Sequence, residues 1–176
     1  MTLADLLASL AVLGLVLGAA FALLWQGQQL YAYGAARVEA QQTARLALER
    51  MAAEIRQAGR GGAGAPFSAL SVAERARVVL HLDVNGDGLI AGNGETITWL
   101  LRGRVLRRDA GGGAQPIING VRDLELTYFD AAGQPTAVPG DVRSVGIALT
   151  TEPDHAGAPA RPVAARVATQ VRLRNR

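Results

Sequence analysis

The chain contains no cysteine and no lysine, few aromatic residues, and no basic residue ahead of Arg37. Without cysteine there is neither a disulfide framework nor a thiolate metal site, so an oxidising compartment is permitted but not indicated. Without lysine, all 18 basic residues are arginine; beside the richness in Ala and Gly, this bias reads as GC-biased coding rather than function. Aromatic residues at 5% argue against a large aromatic core. The parts of a nucleophilic triad are also missing: no Cys exists and no Ser stands in a nucleophile-elbow context. Of the two histidines, His81 lies between leucines in a predicted strand and His155 in a Pro/Gly-rich loop. Asp123 and Glu125 share one face of a predicted strand, where surface solvation accounts for them better than acid–base chemistry does. The expectation is a protein that is not an enzyme.

At 176 residues the chain has room for one ordinary domain and an additional element. That element comes first, as "MTLADLLASLAVLGLVLGAAFALLW". Residues 6–25 carry no charge, and roughly 20 apolar residues are what a helix needs to cross a hydrocarbon core. The run is longer than the apolar part of a cleavable secretory signal, about 7–15 residues. By the positive-inside rule the chain as written places its Arg-rich body in the cytoplasm. A short basic leader ahead of Met1, removed during maturation, would reverse that and leave the body outside. Asp5 is the oddity of the segment, because a carboxylate in lipid is costly unless it is paired. It is either an interfacial residue at the end of an ordinary anchor or a group with a partner to meet.

From Thr2 to about Ala58 no proline intervenes, and Ala, Leu, Gln, Glu and Arg dominate, all good helix formers. In the second half of this segment Ala44, Leu48, Met51, Ile55 and Ala58 recur at three- and four-residue steps, the stripe of a helix with one buried face. Arg45, Glu49, Arg56 and Gln57 fall on the other side. Gly14, Gly18, Gly27 and Gly34 interrupt the helix, each at a cost of about 1 kcal/mol relative to Ala. The Gly14-x-x-x-Gly18 spacing suits close helix approach, local unwinding on packing is a second reading, and the general frequency of glycine in membrane helices is a third. Gly59 can cap the helix and Pro66 cannot continue it.

Beyond Pro66 the pattern changes to short runs bounded by Gly, Pro, Asn and Asp: "RVVLHL", "ETITWLL", "RVLRR", "VRDLELTYF", "DVRSVGIALTT" and "ARVATQVRLR". Ile97, Trp99 and Leu101 share a face, and Arg102-Gly103 reads as a tight turn. With few helical segments of crossover length between strands, antiparallel pairing follows. The expected fold is α+β, a long helix laid across one face of an antiparallel sheet. The organisation is residues 1–25 as a hydrophobic stem, 26–60 as the amphipathic continuation of the helix, and 61–176 as the sheet domain.

Two further motifs bear on ligands. In "DVNGDG", Asp83, Asn85, Asp87 and Gly88 match the opening of the calcium loop, where alternating oxygens converge on a hard cation. The position for the closing acid is Gly94, with Glu95 one residue later, and no helix flanks the loop. A turn-rich β connection accounts for the same residues, and both readings stay open. No cofactor is required, and Ca2+ is the one the sequence leaves room for. At the C-terminus Arg172, Arg174 and Arg176 share one strand face if the strand persists. Such a stripe could meet the phosphates of DNA, but the small net charge and the lack of interleaved aromatics favour a solvated sheet face or edge.

The opening residues resemble the mature start of type IV prepilin-like proteins, in which a leader peptidase exposes a Phe or Met followed by Thr-Leu-x-Glu. Met1, Thr2 and Leu3 match, with Asp5 where the family usually has Glu. "QQTARLALERMAAEIRQAGRGG" resembles the second half of the long first helix of PilW-type minor pilins and of the related GspJ-type pseudopilins of type II secretion. "LDVNGDGLIAGNGETITWLLRGRVLRRDAGGGAQPIINGVRDLELTYFDAAGQ" resembles the body of the PilW-type group. The resemblance implies a leader-processed subunit, methylated at the Met1 amine. Residues 1–25 would form a transmembrane and then filament-core helix, and Asp5 would meet the N-terminal ammonium of a neighbour. It also implies the partners: other pilin or pseudopilin subunits, an inner-membrane assembly platform, the leader peptidase/N-methyltransferase, and membrane lipid. The implied location is the bacterial inner membrane with the sheet domain outside the cytoplasm, followed by an extracellular or periplasmic filament. A single-pass anchored binding domain that never polymerises is the rival from another class.

Overall fold

The computed structural model describes residues 2–61, 67–153 and 164–175. Met1, Pro66, His155 and Arg176 lie outside the described residues. One helix, α1 (Leu3–Gln57), takes up the first third of the chain and runs unbroken for 55 residues, on the order of 80 Å at 1.5 Å per residue. Ala58 closes it, and Gly59 follows in the left-handed region at φ 76°, a conformation glycine enters without penalty.

The helix divides by exposure. Residues 2–35 are exposed throughout, and the first buried position is Ala36. From there Ala36, Ala40, Ala44, Ala47, Leu48, Met51, Ala52 and Ile55 form the buried face, which contains the stripe expected from periodicity, while Arg45, Glu49, Arg56 and Gln57 are exposed. Its upper part is almost all alanine, so the sheet can approach closely there. Lower down, Met51 and Ile55 are 1% and 0% exposed, and burying each contributes about 1.5–3 kcal/mol. By length and composition the apolar portion is able to cross a membrane, and none of its most apolar window is buried by the rest of the chain.

The body is two antiparallel sheets rather than the single sheet expected. The first is a five-stranded meander of β1 (Leu70–Glu74), β2 (Arg77–His81), β3 (Thr96–Arg102), β4 (Val105–Asp109) and β5 (Gln115–Ile118) in that order. The second has the order β6 (Val121–Phe129), β7 (Ser144–Thr151), β8 (Ala165–Arg172). All neighbouring strands pair antiparallel. The chain passes between sheets through Asn119-Gly120, with Gly120 at φ 70°. The β3–β4 turn is Gly103-Arg104, one residue later than expected, because it is Gly103 that adopts positive φ, at 62°.

The sheets meet edge to tip. The Val121 N–H donates to the Arg104 carbonyl at 3.0 Å, and the Leu126 N–H donates to the Arg75 carbonyl at 2.7 Å. Tyr128 adds its hydroxyl, which donates to the Glu74 carbonyl at 2.8 Å. Burial, reinforced by the Glu74 charge, pushes its pKa well above the ordinary tyrosine value. The hairpin tips of the first sheet therefore close the β6 edge of the second. Inward residues of both sheets, among them Leu80, Trp99, Leu106, Leu124, Ile147 and Val171, form one core with Leu48, Met51 and Ile55 of the helix.

Candidate functional site

The N-terminal stem carries the first candidate group. Thr2 is the N-cap of α1; its Oγ1 accepts from the Asp5 N–H at 3.3 Å, and the Thr2 N–H donates to Asp5 Oδ2 at 2.8 Å. This reciprocal capping box satisfies two N–H groups that a helix start leaves orphaned. It also places a carboxylate at the positive end of the helix dipole. The sequence presents Asp5 as an oddity in want of a partner, whereas in this fold Thr2 is one. The signal was present, since a Thr followed three residues later by an acid is a helix-start pattern. Each carboxylate oxygen has more than one lone pair, so the cap leaves Asp5 able to accept from a cation as well.

The second candidate is the loop between β2 and β3. Asp83 Oδ1 accepts from Gly86 N–H at 2.6 Å and Oδ2 from Gly88 N–H at 2.9 Å. Asn85 Oδ1 accepts from Asp87 N–H at 2.9 Å, and Asp87 Oδ1 from Leu89 N–H at 2.7 Å. Glu95, 1% exposed, accepts from the Val84 and Gly92 N–H groups. Gly86 and Gly88 supply the positive φ that lets the backbone turn back on Asp83. The loop therefore has the turn-rich hydrogen bonding of a β connection. It also gathers carboxylate oxygens of Asp83, Asp87 and Glu95 within 4.8 Å of one another. Among the described residues none of the three forms an ion pair with an arginine. Such a set fits a hard divalent cation by donor type, although calcium takes about 6–8 oxygens and water or backbone would have to complete the shell.

His81 closes strand β2 and is 8% exposed. Its Nε2 lies 2.8 Å from Ser71 Oγ and its Nδ1 3.1 Å from Thr96 Oγ1. Sequence reasoning missed this Ser–His pair because strand pairing, not local pattern, makes it. Burial lowers the imidazole pKa, which favours the neutral form. The group on Nδ1 is a hydroxyl rather than a carboxylate, so it can orient the ring but does not offset the charge that a general base acquires.

The C-terminal arginines are only partly aligned. Strand β8 ends at Arg172, and Arg174 lies beyond it with its N–H donating to the Arg56 carbonyl at 3.4 Å. Asp123 and Glu125, read as solvated, are tied into an ion-pair chain: Arg75 lies 3.5 Å from Asp123 and 3.7 Å from Glu125, and Arg166 lies 3.3 Å from Glu125.

No protein-family profile matches the chain, and neither does any curated protein.

Proposed function

We propose that this protein is a non-catalytic, pilin-like structural subunit, held in the bacterial inner membrane by the exposed half of α1 and drawn from there into a thin filament. The observation that carries the reading is the division of one continuous helix. An apolar half stands clear of the body with a carboxylate near its start, and an alanine-lined half is cemented to a sheet domain. An exposed apolar helix of this length needs lipid or other helices around it. Both are offered in turn by a membrane and by a filament core. In this role Asp5 meets the Met1 ammonium of a neighbouring subunit, and the sheet domain makes sideways contacts with other subunits. A minor component near the filament tip is the assignment preferred over a secretion pseudopilin. The proposed partners are these subunits, an inner-membrane assembly platform, lipid, and the leader peptidase/N-methyltransferase.

The test is intact-mass and N-terminal peptide mass spectrometry on protein expressed from the full gene in its own host. Loss of a short leader with methylation of the Met1 amine is the expected result. An unmodified initiator Met1 sinks the subunit reading.

The capping box favours a second reading, a membrane-anchored domain that never polymerises, since Thr2 already gives Asp5 a partner without a neighbour. Ca2+ is proposed for the Asp83–Asp87–Glu95 loop, on the ground that a buried Glu95 shares its surroundings with two further acids and no arginine ion pair among the described residues.

A further inference from the structure

Of the two outer strands of the second sheet, β6 is closed by carbonyls of the first sheet's turns, and β8 has no such closure among the described residues. The pairing of β8 is regular, with eight residues in unbroken register from Thr151↔Ala165 to Ser144↔Arg172. The Leu173 N–H donates to the Arg143 carbonyl at 2.9 Å, so odd-numbered residues bond toward β7 and even-numbered ones turn their N–H and C=O groups to the open side. Two further bonds agree with this parity. Glu152 of the neighbouring strand's end bonds to Gly120 on the β6 side, and Arg174 bonds away from β7, to the helix. Arg166, Ala168, Gln170 and Arg172 therefore present a ladder of main-chain groups with no main-chain partner among the described residues. Three of the usual guards of an edge are missing from the strand, which has no proline, no bulge and no inward-pointing charge; what it carries instead is Arg166 and Arg172, and α1 approaches its far end at Arg174.

We infer that β8 is a docking edge for an extended, acidic segment of a different polypeptide, which adds to the second sheet as a fourth strand. Main-chain bonding supplies the affinity in this mode, and side chains opposite one another supply the choice of partner. Arg166 and Arg172 flank the ladder on its exposed face, six residues apart; Arg166 also meets Glu125 across β7 at 3.3 Å, and its guanidinium has further donors to offer. The matching strand carries carboxylates at i and i+6, both on one face because the spacing is even. A second copy of this chain fits less well, because β8 carries no acid to meet its own arginines. Antiparallel pairing of two β8 strands about Thr169 sets Arg166 against Arg172 twice, pairing about Ala168 leaves Arg166 facing Gln170, and in-register parallel pairing stacks like on like. The other outer strands of this chain offer β5 without an acid and β1 with only Glu74 at its end. This goes beyond the subunit role proposed above and holds whether or not the chain polymerises.

The experiment uses the full chain in detergent micelles and the capped peptide Glu-Val-Thr-Val-Thr-Val-Glu, followed by fluorescence titration and residue-resolved amide exchange. Saturable binding is expected, with exchange at Ala168 and Gln170 slowed while the odd-numbered amides, already bonded to β7, stay as they were. Arg172→Glu should weaken binding about tenfold through like-charge opposition. An Arg166→Glu/Arg172→Glu double variant should prefer the same peptide with Lys in place of Glu. Ala168→Pro removes an outward N–H that β7 does not use, so it should abolish docking while the far-ultraviolet circular dichroism is unchanged. No saturable binding, binding that leaves the even-numbered amides fast, or affinity indifferent to charge reversal overturns the proposal.

Discussion

The indole Nε1 of Trp99 donates to Glu54 Oε2 at 2.7 Å, and Arg108 Nε meets the other oxygen of the same carboxylate at 2.8 Å. Trp99 and Arg108 are cross-strand partners in β3 and β4, so a single helix side chain collects two adjacent strands of the first sheet. Trp99 is fully buried and Glu54 largely so. The indole needs an acceptor inside the core, and the acid needs a cation beside it.

Glu54→Ala leaves the indole N–H and the guanidinium without their acceptor. It should destabilise the fold by about 2–3 kcal/mol. Thermal unfolding in detergent should shift down by roughly 5–10 °C, and a Glu54/Arg108 double-mutant cycle should show coupling. Additive effects of the two single substitutions would mean that the pair contributes only its separate packing.

Ala44 is 0% exposed on the alanine stretch of α1 where the helix meets β7 and β8. Replacement by Leu forces the helix off the sheet and should cost about 1–3 kcal/mol. On the same interface, Thr151 Oγ1 donates to the Ala40 carbonyl at 2.8 Å, and Thr151→Val should cost about 1 kcal/mol. A chemical denaturation series reads both, and stability equal to the parent chain would place the interface elsewhere.

Asp5→Asn keeps an oxygen for the Thr2 N–H but removes the charge, and Asp5→Ala removes both. Both variants should remain in the membrane fraction, because the apolar stem is unchanged. If pairing with a neighbour's amine drives assembly, both should be lost from sheared filaments, whereas normal incorporation of Asp5→Asn would assign the residue to helix capping alone.

Calcium at 100 times its dissociation constant stabilises a folded state by about 2.7 kcal/mol. A scan in 1 mM CaCl2 should therefore melt several degrees above one in EDTA, and Glu95→Gln should erase the difference. Identical melting in the two conditions would leave the loop as a self-bonded turn.

Much of this was legible in advance, for reasons that are local. Helix period and the absence of proline mark α1 to within a residue or two, and the stripe at Ala44, Leu48, Met51, Ile55 and Ala58 is buried as the spacing requires. Six strands announce themselves by alternation or by their turns. The two that do not, β1 and β5, are outer strands, five and four residues long and half exposed, and the apolar signal of such strands is weak. The Asp83 loop was visible as a motif, but the closeness of Glu95 to Asp83 and Asp87 needed the β2–β3 pairing to bring it about.

By itself the sequence determined a long helix with an exposed apolar half, a run of antiparallel strands, and the absence of thiol chemistry, because each depends on composition or on period along the chain. Only the tertiary structure decided that the strands divide into two sheets and that β6 is closed while β8 has no further strand beside it among the described residues. It alone paired Glu54 with Trp99 and Arg108, and His81 with Ser71. These depend on which distant segments meet, and that is settled by packing the whole core at once rather than by any local pattern of residues.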